Sequence, residues 1–275
     1  MKRAILLVSF GTSYREAGER SLECIYKDLC GFGLQVPVYQ AYTSKMILER
    51  LSDEGLSMYS VEEAVQEILL QGVESLVVTA SHMIPGLEYQ KIFRILEPYQ
   101  DKFQRLAVTP AVLQQEADCN KLVPLLQDML HFQKECDYIL MGHGTEDAAN
   151  IRYRQMNDAL WKFGYENVQI ASVEAEPGLM QAVQRLSERG VRKKVILHPF
   201  MVVAGDHANH DMAGEKDSYL TELQKLGYEA EAVVKGLGEY PQFRQLYIER
   251  TRKALGDSMV SEMVSFQKQS YMDGD

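Results

Sequence analysis

"DYILMGHGT", Asp137–Thr145, decides the fold. Tyr138–Met141 is a short apolar run with strand character, and it breaks into Gly142-His143-Gly144 just ahead of an acidic helix start at Glu146 and Asp147. A strand that turns straight into a helix leaves the His143 ring at the carboxyl end of a sheet, where open α/β folds place their ligands. Glycine on either side removes Cβ bulk and would let something large approach the backbone. The competing reading is a histidine that fills a turn and bonds a nearby carbonyl.

The stretch has a counterpart at the amino terminus. "AILLVSFGT", Ala4–Thr12, matches it and sets Phe10 against His143. A helix and a second strand follow in each half, and at about the same distance the chain reaches Tyr42 in the first and Glu174 in the second. "VESLVVTASHMIPGLEY", Val73–Tyr89, then answers "VRKKVILHPFMVVAGDHA", Val191–Ala208. The chain reads as two copies of one unit of about 110 residues, with a helical connection over Gln114–Glu135. The expected division is an N-terminal α/β lobe over 1–113, a connection over 114–136 and a C-terminal α/β lobe over 137–275 that carries the metal and catalytic residues.

Short β-branched runs alternate with amphipathic stretches throughout, which predicts βαβ units and a mainly parallel sheet in each lobe. Strands are expected at Ala4–Ser9, Val36–Ala41, Leu76–Ala80, Leu106–Thr109, Tyr138–Met141, Val168–Val173, Val195–His198 and Ala230–Val234. Leu22, Ile25 and Leu29 share one helical face, as do Val61, Val65 and Ile68, and Tyr153, Met156 and Leu160. Pro177 is expected to open a further helix, with Leu179, Val183 and Leu186 on its buried side and Gly190 ending it. The fold class is therefore α/β, two similar lobes with helices flanking each sheet, and the cleft between them is the default site.

Composition narrows the function. The apolar runs are far shorter than the roughly 20 residues of a membrane span, and "MKRAILLVSFGTSYRE" lacks a cleavage site, so a cytoplasmic protein is expected. Cys24, Cys30, Cys119 and Cys136 form no C-x-x-C pair and read as reduced and structural. A formal net charge of −10 argues against nucleic acid as a partner. "GFGLQV", Gly31–Val36, follows a helix and lacks a third glycine, so it reads as a helix terminator instead of a dinucleotide fingerprint.

In the second lobe three successive strand ends deliver His143, Glu174 in "SVEAEPG" and His207 in "MVVAGDHANHDMAG". Two imidazoles and a carboxylate suit borderline divalent metals and leave coordination positions open. The histidines are too far apart for an H-E-x-x-H helix. His210, three residues after His207, competes for the ligand role. His198 reads as a core histidine or a pocket wall, His131 as exposed, and Met201 and Met212 as core filler ahead of metal ligands.

"SFGTSY", "SHMIPGLEYQKI", "MGHGT", "VEAEPG" and above all "PFMVVAGDHANHDMAGEKDSY" together resemble the anaerobic-type sirohydrochlorin cobaltochelatase family, in matching order over about residues 3–255. The resemblance implies a class II chelatase fold of two similar lobes and insertion of Co²⁺ into sirohydrochlorin in anaerobic corrinoid (cobalamin) synthesis. Fe²⁺ or Ni²⁺ is the alternative metal, and no organic cofactor or ATP is implied. It places metal ligands at His143, Glu174 and His207, the proton acceptor at His143, and His210 outside the ligand set. Substrate contacts are expected at Phe10, Gly11, Thr12, His82, Glu88, Met201 and Val203. Tyr219 stands where the family often has tryptophan. Sirohydrochlorin is rich in carboxylates, so the "SFGTSY" backbone with Lys45, Lys91 or Arg154 is the expected anion partner. Neither nucleic acid nor a membrane is an expected partner, and a homo-oligomer stays open. A non-catalytic tetrapyrrole or metal carrier and a metal-dependent hydrolase are the competing functions.

Overall fold

The computed structural model describes residues 1–31, 36–188, 190 and 193–256. Strands β1 (Arg3–Ser9), β2 (Val38–Tyr42), β3 (Tyr59–Ser60), β4 (Ser75–Ala80) and β5 (Arg105–Val108) form one sheet in the order β3-β2-β1-β4-β5. Strands β6 (Asp137–Gly142), β7 (Val168–Ser172), β8 (Lys194–Pro199) and β9 (Glu229–Ala232) form a second, in the order β7-β6-β8-β9. All pairings are parallel. Ala4 to Val8 are each at most 1% exposed, because a central parallel strand is covered on both faces and so reads as an unbroken apolar run.

Helices α1 (Arg15–Arg20), α2 (Leu22–Cys30), α3 (Lys45–Asp53), α4 (Val61–Leu70) and α5 (Leu87–Leu96) belong to the first lobe. Then come α6 (Glu116–Leu130), α7 (Ile151–Lys162), α8 (Leu179–Ser187), α9 (Tyr219–Lys225) and α10 (Pro241–Leu255). The apolar faces expected on α2, α4 and α7 are all buried. Gly31 caps α2 through its N–H to the Lys27 carbonyl; residues 32–35, the rest of the decoy motif, lie outside the described residues. Among those residues no helix is long and apolar enough to cross a membrane. The four cysteines are free thiols.

The internal repeat holds at the level of single backbone bonds. Ser81 N–H meets the Val8 carbonyl and Phe200 N–H the Met141 carbonyl, and Val112 N–H to His82 is answered by Leu237 N–H to Met201. "AVQEIL" of α4 and "AVQRLS" of α8 each lead into the next central strand, whereas α3 and β3 have no counterpart in the second half. Two expectations are corrected. The residue equivalent to Glu174 is Ser44, not Tyr42: Ser44 N–H bonds Phe10 O as Glu174 N–H bonds His143 O, because the first connection is slightly longer. Pro177 does not open α8. Its carbonyl accepts the Ser172 N–H, which ties it to the strand end, and Gly178 caps the helix with its N–H held by the Gln181 side chain.

The last helix of each half crosses to the other half. After the first sheet, α6 lies against α7, with Arg152 donating to Gln114 O and Gln155 to Glu116. After the second, α10 lies against β4 and α2, where Tyr247 Oη donates to Ser81 O and Thr251 pairs with Thr79.

Candidate metal centre between the lobes

The two glycines around His143 serve packing within the protein. A Cβ at Gly142 would lie 2.7 Å from Cε1 of the Tyr153 ring, which is buried in α7 directly beneath the turn. Burial pushes the Tyr153 phenol up to about 12, partly offset by bonds from the backbone of Gly144 and His143. Gly144 sits at φ +101°, and a Cβ there would lie 3.0 Å from Ala175 N. This close approach, with the 2.9 Å bond from Glu174 N–H to His143 O, sets the Glu174 loop beside the histidine. What approaches the backbone at these glycines is thus not a ligand but Tyr153 and Ala175 of the protein itself.

The His143 Nδ1 lies 3.1 Å from Gly144 O and 3.4 Å from Glu174 Oε2. It contacts a turn carbonyl, as the competing reading expects, and it also faces a carboxylate. His207 begins a π-helical turn over Ala208–Met212, a local widening that recurs at functional sites. Asn209 steadies that turn by donating to the Ala204 and Gly205 carbonyls. The His207 ring meets the His143 ring edge-on, with centroids 4.4 Å apart and planes at 90°. One ligand atom each from His143, Glu174 and His207 fall within 4.8 Å of one another. All three side chains are partly open, at 45%, 52% and 28% exposure, so an ion and a bulky ligand can reach them.

The first lobe closes on this site reciprocally. Gly205 packs on Thr12, and Gly86 on Thr145. Tyr14 donates to Asp206 at 3.0 Å and contacts His210 Nδ1 at 3.3 Å, and Gln90 reaches Asp147. Burial pushes the Asp206 carboxyl up, but the Tyr14 hydroxyl and His210 outweigh it and hold the group below its ordinary value. His210 thus belongs to a mostly exposed cluster with Asp206 and Tyr14, apart from His143, Glu174 and His207.

The remaining expected contacts are scattered. Phe10 is 41% exposed at the end of β1, next to Gly11 at φ +102° and the buried Thr12. The His82 ring nitrogens are shut from solvent with no hydrogen-bond partner, its edge on Tyr89, and burial pushes it down to about 4. Glu88 accepts from Thr43 Oγ1 and pairs with Lys91, whose Nζ also donates to Thr43 O. Met201 and Val203 are partly buried against the apolar cores. Arg154 is spent on Glu176, whereas Lys45, exposed at the start of α3, makes no ion pair among the described residues. His198 is a satisfied core histidine, bonded to Pro199 O and the Tyr240 hydroxyl. Tyr219 packs inward and donates to Ser172 O at 2.7 Å. Two features escaped the sequence reading: that Tyr153, expected on a buried helical face, supports Gly142, and Asp211, whose Oδ2 lies 2.7 Å from His207 Nδ1. The i,i+4 spacing of His207 and Asp211 was the signal for the second.

Two parallel α/β lobes, with His143, Glu174 and His207 gathered at the strand ends of one as a group that could hold a metal ion, are the architecture of the two-lobed chelatases. The family model described as cobalt chelatase (CbiK) matches residues 3–256. The chain belongs to that family. It is 30% identical over 258 residues to the sirohydrochlorin cobaltochelatase of Salmonella typhimurium, covering 93% of this chain and 97% of that protein. To the sirohydrochlorin cobaltochelatase CbiKC of Nitratidesulfovibrio vulgaris it is 29% identical, covering 92% and 91%. Among solved structures, SirB from Bacillus subtilis with Fe³⁺ superposes with a TM-score of 0.60 at 14% identity, over 92% of this chain and 96% of that one, a likeness of fold.

Proposed function

We propose that this protein is a sirohydrochlorin cobaltochelatase, inserting Co²⁺ into the tetrapyrrole without ATP or an organic cofactor. The observation that carries the reading is the convergence of His143, Glu174 and His207 donor atoms within 4.8 Å at the junction of the lobes. Co²⁺ is a substrate here, so its ligands must strip part of its hydration and still release it. Two imidazoles and one carboxylate leave positions open for incoming pyrrole nitrogens. Insertion also removes two pyrrole protons. His143, beside the Glu174 carboxylate, is the acceptor, since an imidazole nitrogen can take up a proton and the carboxylate stabilises the cation that forms. The exposed Phe10 ring offers a face for the macrocycle, and of Lys45, Lys91 and Arg154 it is Lys45 that has no ion pair among the described residues and can meet a substrate carboxylate.

The test is anaerobic incubation of the purified protein with sirohydrochlorin and Co²⁺, with Fe²⁺ and Ni²⁺ in parallel. Metallation followed by absorbance accelerates over the spontaneous rate with multiple turnovers, fastest with Co²⁺. A single stoichiometric binding event without turnover would make the protein a carrier instead.

A further inference from the structure

We propose that Asp211 is a positioning residue that commits His207 to present Nε2 to the metal, an inference that rests on the reading of His207 as a ligand. A histidine binds a cation through one nitrogen, and the bond made by the other decides which. In His207 the matter is settled by the short Nδ1–Oδ2 contact of 2.7 Å to Asp211. A carboxylate has lone pairs and no proton to give, so across this contact Nδ1 is the donor and the free lone pair lies on Nε2. The same bond fixes the ring, which stands at 90° to the His143 ring with centroids 4.4 Å apart, and makes the imidazole a stronger donor.

The turn supplies its own contrast. Asp206–His210 and His207–Asp211 are interleaved pairs of the same spacing, 3.0 and 2.7 Å long, with the order of acid and base reversed. The first is turned outward and engaged by Tyr14 of the opposite lobe, at 60% and 66% exposure. The second is held closer in, with His207 at 28%. Only the second touches the donor set. The turn thus uses one pair to meet the first lobe and the other to aim a ligand.

The experiment is Co²⁺ titration of the full-length protein without tetrapyrrole, followed by calorimetry and by the visible absorption of bound Co²⁺, on D211A, D211N, D211E, D206A and H207A. D211A weakens Co²⁺ binding about 10- to 100-fold. D211N, which can still accept the Nδ1 proton but lacks the charge, falls between it and the wild type. D211E restores part of the loss, and the Co²⁺ spectrum of D211A shifts because the ligand geometry has loosened. D206A, which breaks the neighbouring pair, stays within about twofold. If H207A loses affinity and D211A does not, the positioning role is overturned while the metal centre stands. Equal losses in D206A and D211A would also overturn it, by tracing the effect to the turn as a whole. Unchanged binding in H207A removes the metal reading of His207, and the proposal with it.

Discussion

After β1 the chain turns through Phe10-Gly11-Thr12, and after β6 through His143-Gly144-Thr145, with Gly11 and Gly144 at φ +102° and +101°. Each turn receives a glycine of the other lobe on its threonine, Gly205 on Thr12 and Gly86 on Thr145. The backbone frame is therefore built twice. Its side chains differ: equivalent positions hold Phe10, Ser44 and Glu88 in one lobe and His143, Glu174 and His207 in the other. In the first lobe Ser44 caps α3 and Glu88 bonds Thr43, while Phe10 stands exposed. The fold supplies an edge where three strand ends converge, and only in the second lobe do the residues on it gather two imidazoles and a carboxylate among the described residues.

The comparison breaks most visibly at His143. H143A should cut metallation by about 10² to 10⁴-fold, the usual worth of a positioned base, while sirohydrochlorin binding stays nearly intact. F10A, at the mirrored position, should weaken ring binding and leave Co²⁺ affinity alone. Tetrapyrrole binding by fluorescence quenching and Co²⁺ titration separate the two, and equal effects on Co²⁺ would dissolve the contrast. Next in size come E174Q and H207A, which should raise the Co²⁺ concentration for half-maximal rate by more than the 10- to 100-fold typical of losing a supporting partner. Metal titration at fixed tetrapyrrole measures it.

The paired glycines give a smaller effect. G144A and G11A each force a side chain into the left-handed region, at about 1–2 kcal/mol, before any clash with Ala175 or the Tyr42 ring. Both should lower urea midpoints. Only G144A should also weaken Co²⁺ binding, since it pushes the Glu174 loop away.

The buried histidines make a second pair. Burial pushes both His82 in the first lobe and His198 in the second down to about 4, from an ordinary 6.5. Between those values the unfolded chain takes up protons that the folded chain refuses. Stability is therefore unaffected above about pH 6.5 and falls as pH drops toward 4, by at most about 3 kcal/mol for each ring. The rings differ in partners: among the described residues His198 makes two hydrogen bonds and His82 makes none. H198L should cost about 1–3 kcal/mol at neutral pH, whereas H82L should cost little there and flatten the acid slope. Urea denaturation at pH 7.5 and pH 5 gives all four numbers. Smallest of all, H210A should change Co²⁺ affinity hardly at all, because its partners Asp206 and Tyr14 are exposed or outside the donor set. A loss matching H207A would move the ligand by three residues along the turn.

Much of this was legible because apolar periodicity reports burial directly. Strands such as "AILLV" and helical triplets such as Leu22, Ile25 and Leu29 lie where their spacing put them. The convergence of His143, Glu174 and His207 was legible, since all three stand at strand ends of one lobe. What escaped depends on contacts between segments far apart in the chain. Nothing local in "MGHGT" announces that Tyr153 will fill the space over Gly142. The two-residue β3 carries no periodicity to read, and the match of Tyr42 with Glu174 failed because counting along the chain cannot see unequal connections. Pro177 satisfied the local rule for a helix start, but its carbonyl was claimed by Ser172.

The exchange of α6 and α10 has a consequence for cooperativity. Each half lends its final helix to the other, so neither half closes its own core: Tyr247 and Thr251 of α10 complete the packing of β4, and α6 covers α7. Cutting the chain after the first sheet would leave two fragments, each with an apolar flank stripped bare. Denaturation should therefore run as one concerted transition, and the spacing of the two strand-end frames is held by the same interlocking that keeps the halves from melting separately.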